Sequence, residues 1–199
     1  MKLLMNTTSP YARIARIALW EKGYSDIETC IVDPWGDTPE LVAANTAARV
    51  PTLVLDDGQA LTESLLIVLW LEKTRPEPSL LGGDPTGTVA RAGVAMGVID
   101  AAVHTLIGRR IAGGAGFDES PVGLRRRRSM AEGLRRLDAQ APEPAEGAPT
   151  LDAIAAVVAL DYVRFRFPQA GWMPEVPRLD RLRQATATRP SMEQTRPHG

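Results

Sequence analysis

Three short apolar runs punctuate the first 62 residues, each too short for a helix: Lys2–Met5, Glu28–Val32, and Thr52–Leu55 with Gln59–Leu61 around Asp56-Asp57-Gly58. Asp-Gly between two short apolar stretches is a strong hairpin signal, because glycine takes the positive φ that a tight turn demands. Between these strands lie helical patterns. Tyr11–Lys22 puts Ile14, Ile17, Ala18 and Leu19 on one face and Arg13, Arg16 and Lys22 on the other, and Gly23 ends it as a C-cap. Thr62-Glu63-Ser64 predicts a capped start for a second helix with Leu65, Leu66, Val68, Leu69, Trp70 and Leu71, stopping near Arg75-Pro76. The predicted order is strand, helix, strand, irregular segment or short helix, strand, strand, helix.

The pattern changes at residues 74–87, where three prolines and three glycines read as a linker. Beyond it strand patterns vanish, and helical periodicity predicts segments at 88–112, 122–140, 151–166 and 176–188. Pro142, Pro144 and Pro149 separate the second from the third. The expectation is an α/β domain over residues 1–75 followed by an all-helical domain over 86–199.

Composition narrows the class. With 199 residues, 44% hydrophobic and 24% charged, the chain is an ordinary globule able to bury a core without disulfide or metal. A net charge of −1 provides no global field for nucleic acid or an anionic membrane. The single cysteine, Cys30, closes no intrachain disulfide, which fits a reducing compartment. The first apolar stretch is too short for a signal peptide, and no later run approaches membrane-spanning length. The expected localisation is cytoplasmic.

Candidate chemistry begins at Thr8-Ser9-Pro10-Tyr11, between a strand and a helix. Such a turn presents unpaired backbone N–H groups and the positive end of the helix dipole, a natural seat for an anion. Ser9-Pro10-Tyr11-Ala12 has the form of a C-x-x-C redox turn with neither thiol, so it cannot run dithiol exchange. What it keeps is a hydroxyl at the helix start. The plainer reading is an N-cap before proline. Arg49-Val50-Pro51-Thr52-Leu53 sets a proline at the mouth of a strand, one of the few places a sheet admits it; its isomer is not readable locally, since about 5–6% of X-Pro bonds are cis. Glu63-Ser64 reads either as a cap with a dipole-favoured acid or as an acceptor and donor for an amino acid's α-amine and α-carboxylate.

Together these motifs resemble the glutathione transferase superfamily. Residues 9–19 (Ser-Pro-Tyr-Ala-Arg-Ile-Ala-Arg-Ile-Ala-Leu) are similar to the active-site turn and first helix of its serine-type bacterial, tau and zeta classes. Arg-Val-Pro-Thr-Leu (49–53) resembles its cis-proline strand, Leu-Thr-Glu-Ser (61–64) its γ-glutamyl-binding turn, and Arg-Pro-Ser-Met (189–192) its late-helix pattern. The resemblance implies a thioredoxin-like domain plus an all-α substrate-binding domain, a homodimer, and glutathione as co-substrate without metal. It implies that Ser9 donates to the glutathione sulfur and that the Val50 backbone pairs with the cysteinyl residue beside a cis Pro51. Glu63 and Ser64 would then receive the γ-glutamyl α-amine and α-carboxylate, and Arg49 would reach the glycyl end.

The magnitudes suffice for that chemistry. A thiol of pKa about 8.5 needs about 2.7 kcal/mol of selective anion stabilisation to fall by about two units. A hydrogen bond to a charged group contributes roughly 1.5–3 kcal/mol, and a helix N-terminus roughly 0.3–1 kcal/mol. The implied function is conjugation of the glutathione thiolate to a small hydrophobic electrophile. The alternatives are a non-catalytic binding or regulatory protein on the same scaffold, and a glutathione-dependent isomerase or dehalogenase. One departure from the family is Thr150-Leu151-Asp152-Ala153: alanine stands where a capping-box aspartate is expected, with the acid one place early.

Other residues take plainer readings. His104, flanked by Val103, Leu106 and Ile107, is either a structural or a pocket-lining histidine, with no companions for metal. Arg125–Arg128 reads as a solvated face, and Cys30 as a small core side chain. Trp20, Trp70 and Trp172 read as core or domain-interface anchors, and Trp35 as a loop residue or one bordering the glutathione groove.

Overall fold

The computed structural model describes residues 1–144 and 147–198. Two compact units emerge, one of Met1–Leu80 with Thr188–Gly199, the other of Leu81–Ala187. The helical domain expected to run to residue 199 thus ends its own packing at Ala187, because the last residues fold onto the first unit.

In the first unit the elements are β1 (Lys2–Met5), α1 (Pro10–Glu21), β2 (Glu28–Ile31), α2 (Pro39–Ala44), β3 (Thr52–Val54), β4 (Ala60–Thr62) and α3 (Ser64–Thr74), with α8 (Pro190–Glu193) returning late in the chain. The sheet order is β2-β1-β3-β4. β1 and β2 run parallel across the α1 crossover, while β3 is antiparallel to both β1 and β4. This is the thioredoxin-like arrangement of βαβ followed by ββα. Leu4 packs with Val32 and Leu41, and the pleat turns its neighbour Leu3 to the other face. The Asp-Gly hairpin forms as expected: Gly58 takes φ +85° and donates to the Leu55 carbonyl at 3.0 Å, while Leu55 donates to that of Gln59 at 2.8 Å. Gly23, at φ +80°, ends α1 beneath the Arg75 guanidinium, 2.8 Å from where a Cβ would stand.

Two residues expected on the solvated face of α1 are buried. Lys22 is 1% exposed, its Nζ pairing with Glu72 at 2.5 Å and donating to the carbonyls of Arg75 (2.8 Å) and Pro76 (3.1 Å). Arg13, 5% exposed, donates from Nε to Thr195 Oγ1 at 3.4 Å. The cause in each case is chain that returns from far along the sequence and covers that face. Residues 189–195 form the second cover: Glu21 accepts from Arg189 Nη2 (2.8 Å) and Ser191 Oγ (2.5 Å), and Arg16 donates to the Gln194 carbonyl (2.9 Å). Burial there depresses the Arg16 pKa, with Arg13 adding like-charge repulsion. Cys30 packs against the cluster of Leu4, Val32 and Leu41. It lies half-buried on the edge strand β2, where its thiol donates to Glu40 Oε2 at 3.4 Å, a bond that raises its pKa.

The second unit contains α4 (Pro85–Ile111), a short 3-10 helix (Ala115–Glu119), α5 (Pro121–Ala139), α6 (Leu151–Arg166) and α7 (Pro177–Thr186). α6 is its core, buried from Leu151 to Leu160. α4 departs from the expectation that no run is apolar enough to span a membrane: its 27 residues reach a mean hydropathy of 1.3 over the most apolar window. Its branched side chains carry most of that value, with small residues spaced between them. Ala92, Ala95, Ala101 and Ala102 are buried where α4 packs on α5 and α6, and a core helix of a helical unit meets the same criterion. His104 is exposed rather than part of the buried core, with Nδ1 2.7 Å from the Asp100 carbonyl oxygen.

The early acid of α6 has a structural use. Thr150 makes no side-chain cap. Its hydroxyl instead donates to Asp152 Oδ1 at 2.5 Å, and Arg91 of α4 donates from Nε to Asp152 Oδ2 at 2.6 Å. Asp152 is 1% exposed, so this carboxylate fills the positive helix end from within the protein.

Candidate functional site

Strand register decides where the expected site residues fall. β3 pairs Thr52 with Leu4 near the end of β1, and β4 pairs Thr62 with Thr52. The residues immediately beyond those pairs therefore share one end of the sheet. They are Asn6–Ser9 leaving β1, Arg49–Pro51 entering β3, and Glu63-Ser64 leaving β4.

At the first of these segments two caps are nested. Asn6 Oδ1 accepts the Ser9 N–H at 2.8 Å, and Ser9 Oγ accepts the Ala12 N–H at 3.1 Å as the N-cap of α1. The capping reading and the functional one are compatible, because a hydroxyl that accepts from Ala12 still has its own proton to donate. No acidic residue lies in the first turn of α1, so its positive end is not neutralised from within that turn.

The second segment contains a cis Val50–Pro51 bond. A buried polar network fixes it: Asn45 Nδ2 donates to the Arg49 carbonyl (3.0 Å) and Thr52 Oγ1 (3.2 Å), and Thr52 Oγ1 donates to the same carbonyl (3.0 Å). Asn45 and Thr52 are 8% and 0% exposed. Asn6 and Asn45 hold these turns, and neither was singled out from the sequence. The available signal was local: an Asn three residues ahead of a Ser-Pro helix start, and an Asn closing a short helix.

The third segment differs from expectation. Glu63 is the N-cap residue of α3 but makes no capping bond, and its backbone sits at φ 65°, ψ 122°. Non-glycine residues rarely adopt that conformation, at a cost of about 1–3 kcal/mol. Its carboxylate pairs with Arg49. Ser64 behind it is buried, 3% exposed, at the first position of the helix. Strain of this kind collects where geometry serves a ligand.

Comparison with known proteins bears on the same segments. A family model described as the glutathione S-transferase N-terminal domain matches residues 8–74, which hold all six candidate residues. A glutathione S-transferase of Methylobacterium radiotolerans, solved in complex with glutathione sulfonate, is 31% identical. The match covers 100% of this chain and 95% of that one, with a TM-score of 0.88. The chain belongs to the glutathione S-transferase superfamily. Among relatives in this superfamily, the uncharacterised GST-like protein YibF of Escherichia coli is 27% identical, over 99% of this chain and 98% of its own. A maleylacetoacetate isomerase of Pseudomonas aeruginosa is 34% identical over 110 residues, 53% of this chain and 51% of its own. The C-terminal motif of the superfamily, Arg189–Met192, is here the start of α8 and the ion pair to Glu21.

Proposed function

We propose that this chain is a glutathione S-transferase that joins the glutathione thiolate to a small hydrophobic electrophile. Superfamily membership supports a glutathione-dependent enzyme at the level of the family, and the solved relative holds a glutathione derivative. The observation that carries the reading is the meeting of Ser9, the cis Val50–Pro51 strand entry and Glu63-Ser64 at one end of one sheet. Residues 1–75 act as the glutathione-binding domain and the helical segment as the substrate-binding domain. Glutathione lies extended along the sheet end, its γ-glutamyl head at Glu63 and Ser64 and its cysteinyl backbone on Val50 beside Pro51. The sulfur stands before Ser9, whose hydroxyl donates a hydrogen bond that holds it as the thiolate once its proton has passed to solvent. The thiolate attacks the electrophilic carbon, the C–S bond forms, and the leaving group departs with its electron pair. No metal takes part. The working form is a cytoplasmic homodimer; exposed Leu65, Leu66 and Leu69 on α3 support a partner surface.

The isomerase match supports a second reading on the same machinery. There the thiolate adds to a conjugated double bond, the adduct rotates, and elimination returns glutathione. Following glutathione consumption across a panel of electrophiles separates the two. Conjugation consumes one thiol per product, isomerisation none, and a protein that turns over none of the panel supports the binding or regulatory alternative.

A further inference from the structure

The chain that enters β3 is gripped from both ends by buried, uncharged side chains. Asn45 closes α2, and its amide is spent on the residues that follow. Oδ1 accepts the Ala47 N–H at 3.0 Å, while Nδ2 donates to the Arg49 carbonyl and to Thr52 Oγ1. The Thr52 hydroxyl donates to the same carbonyl, so both lone pairs of the Arg49 oxygen are filled. Thr52 is itself locked into the sheet between Leu4 and Thr62. A buried network with its donors satisfied rigidifies the backbone it holds.

Val50, the next residue after that pinned carbonyl, stands outside the bonding. Its side chain packs against the cluster of Leu4, Val32 and Leu41. Its N–H and C=O lie ahead of the ladder, which starts at Thr52, and make no backbone hydrogen bond among the described residues. A donor and an acceptor on one residue can pair with an extended peptide as a strand does. A loose segment would lose backbone freedom on binding, and affinity would fall by that loss; a segment already fixed loses little. The Asn6 amide that holds Ser9 shares no bond with Asn45 or Thr52. The two turns are braced separately.

We propose that Asn45 and Thr52 are positioning residues: they hold the Val50 N–H and C=O ready for the cysteinyl backbone, and so set glutathione affinity without setting thiol ionisation. This rests on the glutathione reading above. Both side chains act only through the backbone of Arg49 and Val50.

The test compares the unsubstituted protein with Thr52→Val, Thr52→Ser and Asn45→Ala. Calorimetry reads the affinity for reduced glutathione, thiolate absorbance reads the bound sulfur, and the denaturant midpoint reads folding. Thr52→Val keeps the shape and removes the hydroxyl, and is expected to weaken glutathione about tenfold with the bound thiol titrating where it did before. Thr52→Ser, which restores the hydroxyl, is expected to bind close to the parent. Asn45→Ala removes two donors at once and should weaken binding further; if it does not fold, the two Thr52 variants decide the matter alone. A lowered midpoint with unchanged affinity in Thr52→Val would make the network merely structural and overturn the proposal. Equal weakening by Thr52→Ser, or a bound thiol that shifts together with affinity, would overturn it as well. An unsubstituted protein that binds no glutathione overturns the glutathione reading itself, a separate result.

Discussion

Among the helices that follow a Ser or Thr, α1 and α6 solve the same electrostatic problem in opposite ways. α1 starts at Ser9, whose neutral hydroxyl accepts one N–H while its first turn holds no acid. α6 starts at Thr150, which does not cap at all; the buried Asp152 supplies an internal anion, held in turn by Arg91. A helix end whose positive charge is met from within the protein is finished, and serves packing. One capped by a neutral hydroxyl is still open to an external anion, and α3, whose Glu63 makes no capping bond, likewise has no acid in its first turn. The difference explains why two similar cap residues belong to different kinds of site.

The largest way to break the comparison is at α6. Asp152→Asn leaves Arg91 facing a buried amide, and should cost about 3 kcal/mol of stability by denaturant midpoint. Glutathione affinity should not change; a loss below about 1 kcal/mol would show that the pair behaves as a surface one. At α1 the opposite split is expected. Ser9→Ala should lower turnover roughly tenfold or more with glutathione affinity nearly intact. The lost cap costs only about 1 kcal/mol in stability, so unchanged turnover refutes the role of the hydroxyl.

At α3, Ser64→Ala should weaken glutathione about tenfold while leaving turnover at saturation close to that of the parent. Calorimetry that finds unchanged affinity removes Ser64 from the site. The smallest effect carries the opposite sign for stability. Glu63→Gly relieves a backbone that glycine adopts without strain, and should raise stability by about 1 kcal/mol, or roughly 2–4 °C in Tm. The same change removes the acceptor for the α-amine, so the more stable variant should bind glutathione more weakly. A variant that loses stability would mean that the Arg49 pair outweighs the strain.

Local chemistry was legible in the sequence, and distant chemistry was not. The Asp57-Gly58 hairpin and the Gly23 stop are set by neighbours in the chain, so their residue types announced them. Lys22 and Arg13 read as surface because their partners lie 53 and 182 residues away. Asp152 read as a misplaced capping acid because Arg91, 61 residues upstream, is what makes its position useful. Glu63 read as part of an ordinary capped start. Its positive φ follows from how β4 turns into α3, and glutamate gives no local sign of it.

The account turns on the ionisation of one sulfur. Titrating the ultraviolet thiolate absorbance of glutathione bound to the protein, and to Ser9→Ala, reads that ionisation without any second substrate. The bound thiol should titrate about two units below its free value near 8.5, and the Ser9→Ala complex should move back toward that value. The pH profile of kcat/KM should shift upward with it. A bound thiol that titrates at its free value, or at the same pH with and without the Ser9 hydroxyl, would contradict the account.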